Sequence, residues 1–382
     1  MLEEVQLISV LSVTGSPFGP SGDVLNTIIS LLMYLSFILF MFFGQKIQVR
    51  LMLFELDGVV KRLEYMKNDA KLLSLKTLKE IGKSKEDPTP ELNVMLEQFL
   101  IPPEGMDPAG IVWKLDHLLD VREMKFKDDV KRIAPEADES QINNLENLIE
   151  ASQALNTIYR IVQHYYLLGK RTSSFYIVFQ IQMVLPLIMQ EAEALVAAAR
   201  AFSQGQPIGD GAGALVAAKL MQGKEKRKVS KDVVVAETLI EGRRVISLKA
   251  EGPGGNVGKP GDAIRQIIEE NGGKIAMVVM VDAALKLEGD KTGEISEGVG
   301  AAIGGPGTER FKIEEEAVKH KTQVYAIIIK ESIQEAIAPM KKEIFEGAEL
   351  ALARIRKLIL DRTKEGETVI VAGIGNTVGI GQ

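Results

Sequence analysis

The stretch GPGGNVGKPGD, residues 252–262, has the residue types that suit an anion-binding loop. Its glycines let the backbone turn back and present N–H groups, and a helix is expected to begin at its end with Asp262 as N-cap. Lys259 would add a positive charge for a phosphate or a carboxylate. The predicted ligand contacts in this loop are Gly254, Gly255, Asn256, Gly258, Lys259 and Asp262.

This loop is neither of the two common nucleotide-binding motifs. A Walker A motif needs glycine where the chain has Pro253, and serine or threonine where it has Pro260, so the magnesium-binding hydroxyl is missing. The glycine spacing also differs from that of the dinucleotide-binding fingerprint. The alternative interpretation is a glycine-rich turn shaped by packing or by contact with a neighbouring subunit.

Two further glycine-rich segments are expected at the same edge of the protein. GVGAAIGGPGT, residues 298–308, precedes a predicted helix and has the same anion-binding character. The C-terminal VAGIGNTVGIGQ follows a buried strand. Because open α/β sheets bind ligands at the carboxyl ends of their strands, the three segments are expected to line one crevice. The predicted contacts are Gly305, Gly307, Thr308 (the expected N-cap), Gly373, Gly375 and Asn376.

Asp282 ends the predicted strand KIAMVVMVD and would point into the same crevice. It could serve as a carboxylate for a ribose, a metal ion or a proton, or it could be a simple turn acid. The chain has no cysteine and three isolated histidines, so no metal site is predicted. No Ser/His/Asp set or paired-carboxylate motif is present, so the catalytic residues and any cofactor stay unassigned.

Strands that alternate with helices place these loops on an α/β domain over residues 204–382. The strands are continuously apolar, which predicts a mostly parallel sheet covered on both faces. A hairpin, DVVVAETLI and RRVISLKAE, is expected to turn at Glu241-Gly242. The preceding basic run, Lys224–Lys228, is expected to be a solvated loop, with contact to anionic lipid headgroups as the alternative.

Residues 46–203 have helical periodicity, and their first part has apolar residues at heptad spacing. Glu55, Arg62 and Asp69 fall at flanking positions where charges select partners. A coiled-coil seam between copies and an amphipathic helix that packs on its own domain fit equally well, because Leu53 and Val60 widen the apolar face. The heptad positions are Val49, Met52, Leu56, Val59, Leu63, Met66, Ala70 and Leu73.

Residues 24–45 contain no charged residue and are predicted to form a transmembrane helix. The 23-residue tail before it contains no lysine or arginine, whereas Lys46 and Arg50 follow it directly. The positive-inside rule therefore predicts a tail outside the cell and a cytoplasmic C-terminal domain. Residues 172–190 are also uncharged, but Gln180, Gln182 and Pro186 favour a buried or interfacial helix over a second span.

The net charge of −6 argues against a nucleic-acid partner. A single anchor, a helical middle region and the blocks GPGGNVGKPGD and GGPGTERFKIEEEA together resemble an archaeal single-pass membrane-protein family known only as a domain of unknown function. The resemblance implies a membrane location but no activity.

The expected function is a membrane-anchored homo-oligomeric scaffold, since catalytic residues are missing and apolar segments need burial. Its partners would be the lipid bilayer and further copies of the chain. The alternative is a membrane-tethered enzyme or sensor that binds a nucleotide or another phosphate-bearing small ligand.

Overall fold

The computed structural model describes residues 24–84, 86–100 and 110–382, so the predicted tail at 1–23 lies outside the described residues. The chain divides into two compact units. One contains the described residues up to Lys61 together with Ile161–Leu185, and the other contains the described residues of Arg62–Arg160 together with Pro186–Gln382.

The N-terminal half is helical in its regular elements, as predicted. Ser173, in a left-handed conformation with φ of 51°, separates two long helices that would otherwise run together. Pro186 lies inside the second of these without ending it. The helices are α1 (Val24–Gly82), α2 (Thr89–Met95), α3 (Ile111–Ile133), α4 (Glu139–Thr172) and α5 (Phe175–Gln204).

Five of the eight heptad positions of α1 are buried within the chain itself, and Val59, Met66 and Leu73 are half-buried. In the first unit, Val49 and Met52 pack against Val178 of α5. In the second unit, Leu63 and Ala70 are buried, and the Ser74 hydroxyl lies 2.9 Å from that of Ser152 in α4. The buried positions of the stripe therefore act as the apolar face of an amphipathic helix that packs on its own chain.

Among the described residues, one helix has the length and apolar character to cross a membrane, or two if a bent pair of segments in α1 is counted as a single span. In the described part of the chain, α5 meets this criterion by itself. Segments Thr27–Ile38 and Phe43–Gly82 of α1 meet it only together, and they are bent by 56° at the break between them. Length and composition do not distinguish such helices from the core helices of soluble proteins.

The C-terminal half is a seven-stranded sheet with helices on both faces. The strand order is β1-β2-β3-β7-β4-β6-β5. A short 3₁₀ turn, Gly209–Gly211, precedes these elements. They are α6 (Ala212–Met221), β1 (Lys226–Ser230), β2 (Val233–Ile240), β3 (Arg243–Ala250), α7 (Pro260–Glu270), β4 (Met277–Leu285), β5 (Ile295–Val299), α8 (Thr308–His320), β6 (Gln323–Glu331), α9 (Ile333–Ile337), α10 (Lys342–Arg362) and β7 (Thr368–Gly373).

The sheet is mixed, which corrects the prediction of a mostly parallel one. The central strands β3, β7, β4 and β6 are parallel, and these include the apolar strands on which the prediction depended. The outer pairings β1–β2, β2–β3 and β5–β6 are antiparallel. Short connections such as the predicted turn at Glu241-Gly242, where both residues have positive φ, can join only antiparallel strands.

Each face of the sheet has its own apolar core. On one face, Ile264 of α7 and Ile313 of α8 pack against Val278 and Met280 of β4. On the other face, Val216 of α6 and a row of residues along α10 pack against the alternate positions of the same strands. These alternating burial patterns arise because successive side chains of a strand point to opposite faces.

The basic run is a loop only at Lys224 and Glu225. Residues Lys226–Ser230 form β1, the edge strand beside β2. Lysine and arginine at a sheet edge oppose pairing with another chain, so their charge is compatible with a strand at this position.

Candidate functional site

The parallel strands place the first glycine-rich loop and the C-terminal tail side by side at one edge of the sheet. Thr377 is buried, and its hydroxyl donates to the Gly254 carbonyl at 2.8 Å. Its N–H donates to Asn256 O at 3.0 Å, and the Gly379 N–H donates to Pro253 O at 2.8 Å. The C-terminal tail is therefore packed against the loop and fixes its conformation.

Asparagines of α4 hold the same loop from the helical side. The Gly255 N–H donates to Asn144 Oδ1 at 2.8 Å, and the Gly255 carbonyl accepts from Asn147 Nδ2 at 2.8 Å. Asn376 Nδ2 donates to Asn147 Oδ1 at 2.8 Å, which joins the tail to the same group. A Cβ atom on Gly255 would lie 2.7 Å from Asn147 Nδ2, so close packing requires glycine here.

Next to this amide cluster is a cavity of about 210 Å³. It brings together the predicted contacts Gly255, Asn256 and Asn376 with side chains of α3 and α4. The lining residues on those helices are Arg122, Glu123, Phe126, Glu146, Asn147 and Glu150, and Val257 completes the loop side.

Glu146 is the unusual group of this cavity. Its Oε1 atom is buried and has no hydrogen-bond partner in the described structure. Burial raises the pKa of Glu146 to about 8, and the carboxylates of Glu123 and Glu150 add to the shift, while Lys127 opposes it. At neutral pH the cavity therefore contains a protonated carboxyl group.

The other charged groups of the cavity already have partners. Arg122 pairs with Glu150 at 2.8 Å, and Glu123 pairs with Lys231 at 3.0 Å. Burial is also the largest influence on Glu150 and raises its pKa, although the Arg122 guanidinium opposes this. Glu146 is thus the lining carboxyl group with an unused hydrogen-bonding capacity.

Lys259 does not face the cavity. It is the N-cap residue of α7, and its amino group lies 2.9 Å from Asp116 and 2.7 Å from Asp120, both in α3. Burial works against the ammonium, but the hydrogen bonds to Asp120 and Asp116 outweigh it and raise the pKa of Lys259. The positive charge expected to meet a phosphate is therefore neutralised by two carboxylates.

Asp262 is not the N-cap that the sequence indicated. It lies in the first turn of α7 and accepts from Lys312 of α8 at 3.1 Å. Lys312 is 3% exposed and also pairs with Asp116 at 3.0 Å and Glu309 at 2.8 Å. The helix starts at Pro260, whose ring sets the first helical φ, so the cap moves to the preceding residue.

A further N–H group of the loop is also paired within the protein: the Gly261 N–H donates to Glu309 Oε2 at 2.7 Å. The Gly258 N–H donates to Asn256 Oδ1 at 2.8 Å. A Cβ on Gly258 would lie 2.7 Å from Asp232 O, and Gly258 has a φ of 59°. These contacts favour the alternative interpretation of the loop as a turn shaped by packing.

Asp282 contacts the second glycine-rich segment and belongs to a separate group of acidic residues. It accepts from the N–H groups of Ala283, at 2.8 Å, and Gly304. Its strand continues to Leu285, so it lies within β4 and is 7% exposed. Burial raises the pKa of Asp282 well above the ordinary value, and the neighbouring Asp210 carboxyl adds to the shift.

Glu331, at the end of β6, belongs to this acidic group as well. It is 1% exposed, and neither carboxyl oxygen has a hydrogen-bond partner in the described structure. Burial, with Asp210, Glu335 and Asp282 nearby, raises the pKa of Glu331 to about 8. Asp210 accepts the Asn376 N–H at 2.7 Å and so links the group to the tail.

The remaining predicted contacts lie at a helix start, in turns with positive φ or in close packing. Thr308 is buried at the first position of α8, and Gly307, with φ of 89°, is the N-cap in its place. Gly305 also has a positive φ, of 81°. A side chain on Gly373 would collide with α6, and one on Gly375 would collide with the Asp210 carbonyl.

The residues missed from the sequence are mainly those of α3 and α4, above all Glu146 and Asn147. A signal was present: QINNLENLIE places three asparagines (Asn143, Asn144 and Asn147) within one short stretch of an amphipathic helix. Asparagine is a poor helix former, so its repetition there indicates polar contacts made by that face. Among residues 24–84, 86–100 and 110–382, no group of three or more acidic or histidine side chains has a geometry that could hold a metal ion.

Two family models match the chain in succession. Residues 30–205 match the model described as Protein of unknown function (DUF1512) N-terminal domain, and residues 208–381 match Domain of unknown function (DUF1512) C-terminal. No curated protein and no solved structure matches the chain. The two models agree with the resemblance to a family known only as a domain of unknown function. The chain therefore belongs to the DUF1512 family.

Proposed function

We propose that the protein is a membrane-anchored homo-oligomeric scaffold that holds its α/β domain on the cytoplasmic side. The observation that carries this proposal is the exposed apolar surface of α1. Its large apolar side chains between Ile28 and Phe43 whose burial is described are 46–68% exposed. At roughly 2 kcal/mol for each fully transferred side chain, their burial in lipid would contribute on the order of 10 kcal/mol. Contiguous apolar patches of this kind mark membrane or protein contacts.

The charge pattern supports the proposed orientation. Lys46 and Arg50 follow the apolar segment, and the first 23 residues contain no lysine or arginine. Protease added to right-side-out vesicles should leave the C-terminal domain uncut. Cuts between residues 46 and 171 would show a reversed orientation.

The proposal has a single membrane span, so it requires that the apolar helix α5 does not cross the bilayer. Its Tyr176 and Met183 side chains are 67% and 64% exposed, so its N-terminal part also has apolar surface available to lipid. Gln180, Gln182 and Pro186 oppose full insertion. Vesicle cuts confined to positions after 190 would show that this helix crosses the bilayer.

Self-association would use a surface other than the heptad stripe. Leu51 and Phe54 of α1 are 62% and 80% exposed and lie just past the basic residues. Such side chains can pack against a second copy outside the apolar layer of the membrane. Measurement of the mass of the detergent-extracted protein tests this, because a monomer at micromolar concentration would refute the oligomer.

A second function, ligand binding by a tethered sensor or enzyme, is favoured by the cavity beside the Gly255 loop. Glu146 Oε1 is enclosed there without a partner, which is an energetic cost that a bound ligand would relieve. The phosphate-bearing ligand has less support than the cavity itself, since Lys259 is paired with aspartates and the N–H groups of Gly255 and Gly261 are occupied. A shift in thermal unfolding on addition of a ligand panel tests this function.

A further inference from the structure

The cavity beside the Gly255 loop, whose role in ligand binding is proposed above, also indicates which class of ligand it would take. We propose that it binds a small organic ammonium ion, with the Glu146 carboxylate as its counter-ion and the Phe126 ring beside it. The proposal rests on the second function given above and goes beyond it by naming the chemistry of the ligand.

The first argument is the supply of hydrogen-bonding groups. The Asn147 amide donates to Asn143 O and Gly255 O and accepts from Asn376, so its groups are used in building the wall. Asn376 Oδ1 accepts the Val378 N–H at 2.9 Å. The unpartnered buried atom of the lining is therefore Glu146 Oε1. When the carboxyl group has lost its proton this atom only accepts, so the complement of the ionised form is a ligand that donates hydrogen bonds.

The second argument is charge. Carboxyl groups outnumber guanidinium groups in the lining by three to one, and the guanidinium of Arg122 is already paired with Glu150. Glu123 is likewise paired with Lys231, so the ionised Glu146 carboxylate is the lining charge for which the described structure shows no ion pair. That carboxylate would attract a cation and repel a phosphate or carboxylate ligand. An ammonium ion also gains from an adjacent aromatic side chain, which Phe126 provides.

The third argument is size. A cavity volume of about 210 Å³ is enough to hold a small amine. The wall residue Val257 is compatible with a short alkyl chain.

Binding of the ammonium ion should release the proton of Glu146, and this release can be measured. Below the raised pKa of Glu146 the free cavity holds a protonated carboxyl, and the ammonium ion displaces that proton to solvent. The affinity should therefore rise by up to about tenfold per pH unit from pH 6 to 8. The charged groups around Glu146 are Lys127, Glu123 and Arg122 on α3 and Glu139 and Glu150 on α4; the loop contributes none.

The test is titration calorimetry on the full chain in detergent, with 1,4-diaminobutane, inorganic phosphate and AMP as probes. We expect the diamine alone to bind, with release of a proton that is detected by repeating the titration in buffers of different ionisation enthalpy. Glu146→Gln should weaken diamine binding at least tenfold. Glu288→Gln, a change of the same kind at an exposed position, should leave it unaltered.

Each result has one meaning. Binding of phosphate or AMP in preference to the diamine would overturn the ammonium proposal but keep the ligand-binding function. Binding of none of the three probes would overturn both. If Glu146→Gln does not fold, the pH dependence of diamine binding to the unaltered protein decides, and an affinity that does not change between pH 6 and 8 would refute the role of Glu146.

Discussion

Replacing Lys249 with methionine should stabilise the protein, although it removes a charged residue from a central strand. Lys249 lies in β3 and is fully buried, and its amino group donates to the Ala250 carbonyl oxygen at 2.9 Å. Burial lowers the pKa of Lys249 from 10.5 to about 8, although Glu251 opposes the shift. Methionine has a similar shape and no charge to desolvate.

The size of the effect follows from that pKa. A change from 10.5 to about 8 corresponds to about 3 kcal/mol, at roughly 1.4 kcal/mol per unit. Because the native state binds fewer protons than the unfolded state between these values, the free energy of unfolding should rise with pH there, and the full cost is present below pH 8. Loss of the hydrogen bond to Ala250 costs about 1 kcal/mol. The net gain for Lys249→Met at pH 7 is therefore about 2 kcal/mol.

Guanidinium titration of the full chain in detergent measures this, with Trp113 fluorescence as the signal. Trp113 is the single tryptophan, and its ring contacts that of Phe311 in α8 edge-on at 5.9 Å, so it reports on the unit that contains β3. The exposed Lys224→Met is the matched control and should change stability by less than about 0.5 kcal/mol. A destabilised Lys249→Met variant would show that the reasoning about burial is wrong.

Three further substitutions test other parts of the structure. Glu331→Gln should raise the free energy of unfolding by on the order of 4 kcal/mol at pH 8. The native carboxyl stays protonated up to about pH 8 whereas the unfolded one ionises near 4.5, so the unaltered protein loses stability as the pH rises between these values. Urea titrations at several pH values measure the effect, and an unchanged dependence of stability on pH would contradict it. Lys312→Met should cost about 3–5 kcal/mol in the same assay, since three carboxylates lose their buried cation, and a neutral result would show that they find other partners. Phe54→Lys should lower the mass of the detergent-extracted assembly without changing thermal unfolding, and an unchanged mass would place the contact between copies elsewhere.

Most regular elements could be predicted from the sequence because their signals are local. The turn at Glu241-Gly242, the helices after the two glycine-rich loops and the apolar strands β4, β6 and β7 follow from residue types and spacing. The edge strands β1 and β5 could not, because charged and short strands lack the apolar alternation that identifies a strand. The helix starts at Pro260 and Thr308 were displaced by one or more residues from the predicted caps, since several residues there are acceptable N-caps.

The sequence determined that residues 252–262 form a tight glycine-rich loop before a helix, and that the loop carries a lysine and an aspartate. Only the tertiary structure decided what those groups contact. Lys259 is neutralised by Asp116 and Asp120, which lie about 140 positions earlier in the chain, and Gly255 is held by Asn144 and Asn147 of α4. The physical reason is that hydrogen bonds and ion pairs depend on distance in space. The sequence therefore shows which donors a loop has, but it does not show that a helix far away in the chain pairs with its charge and accepts hydrogen bonds from its N–H groups.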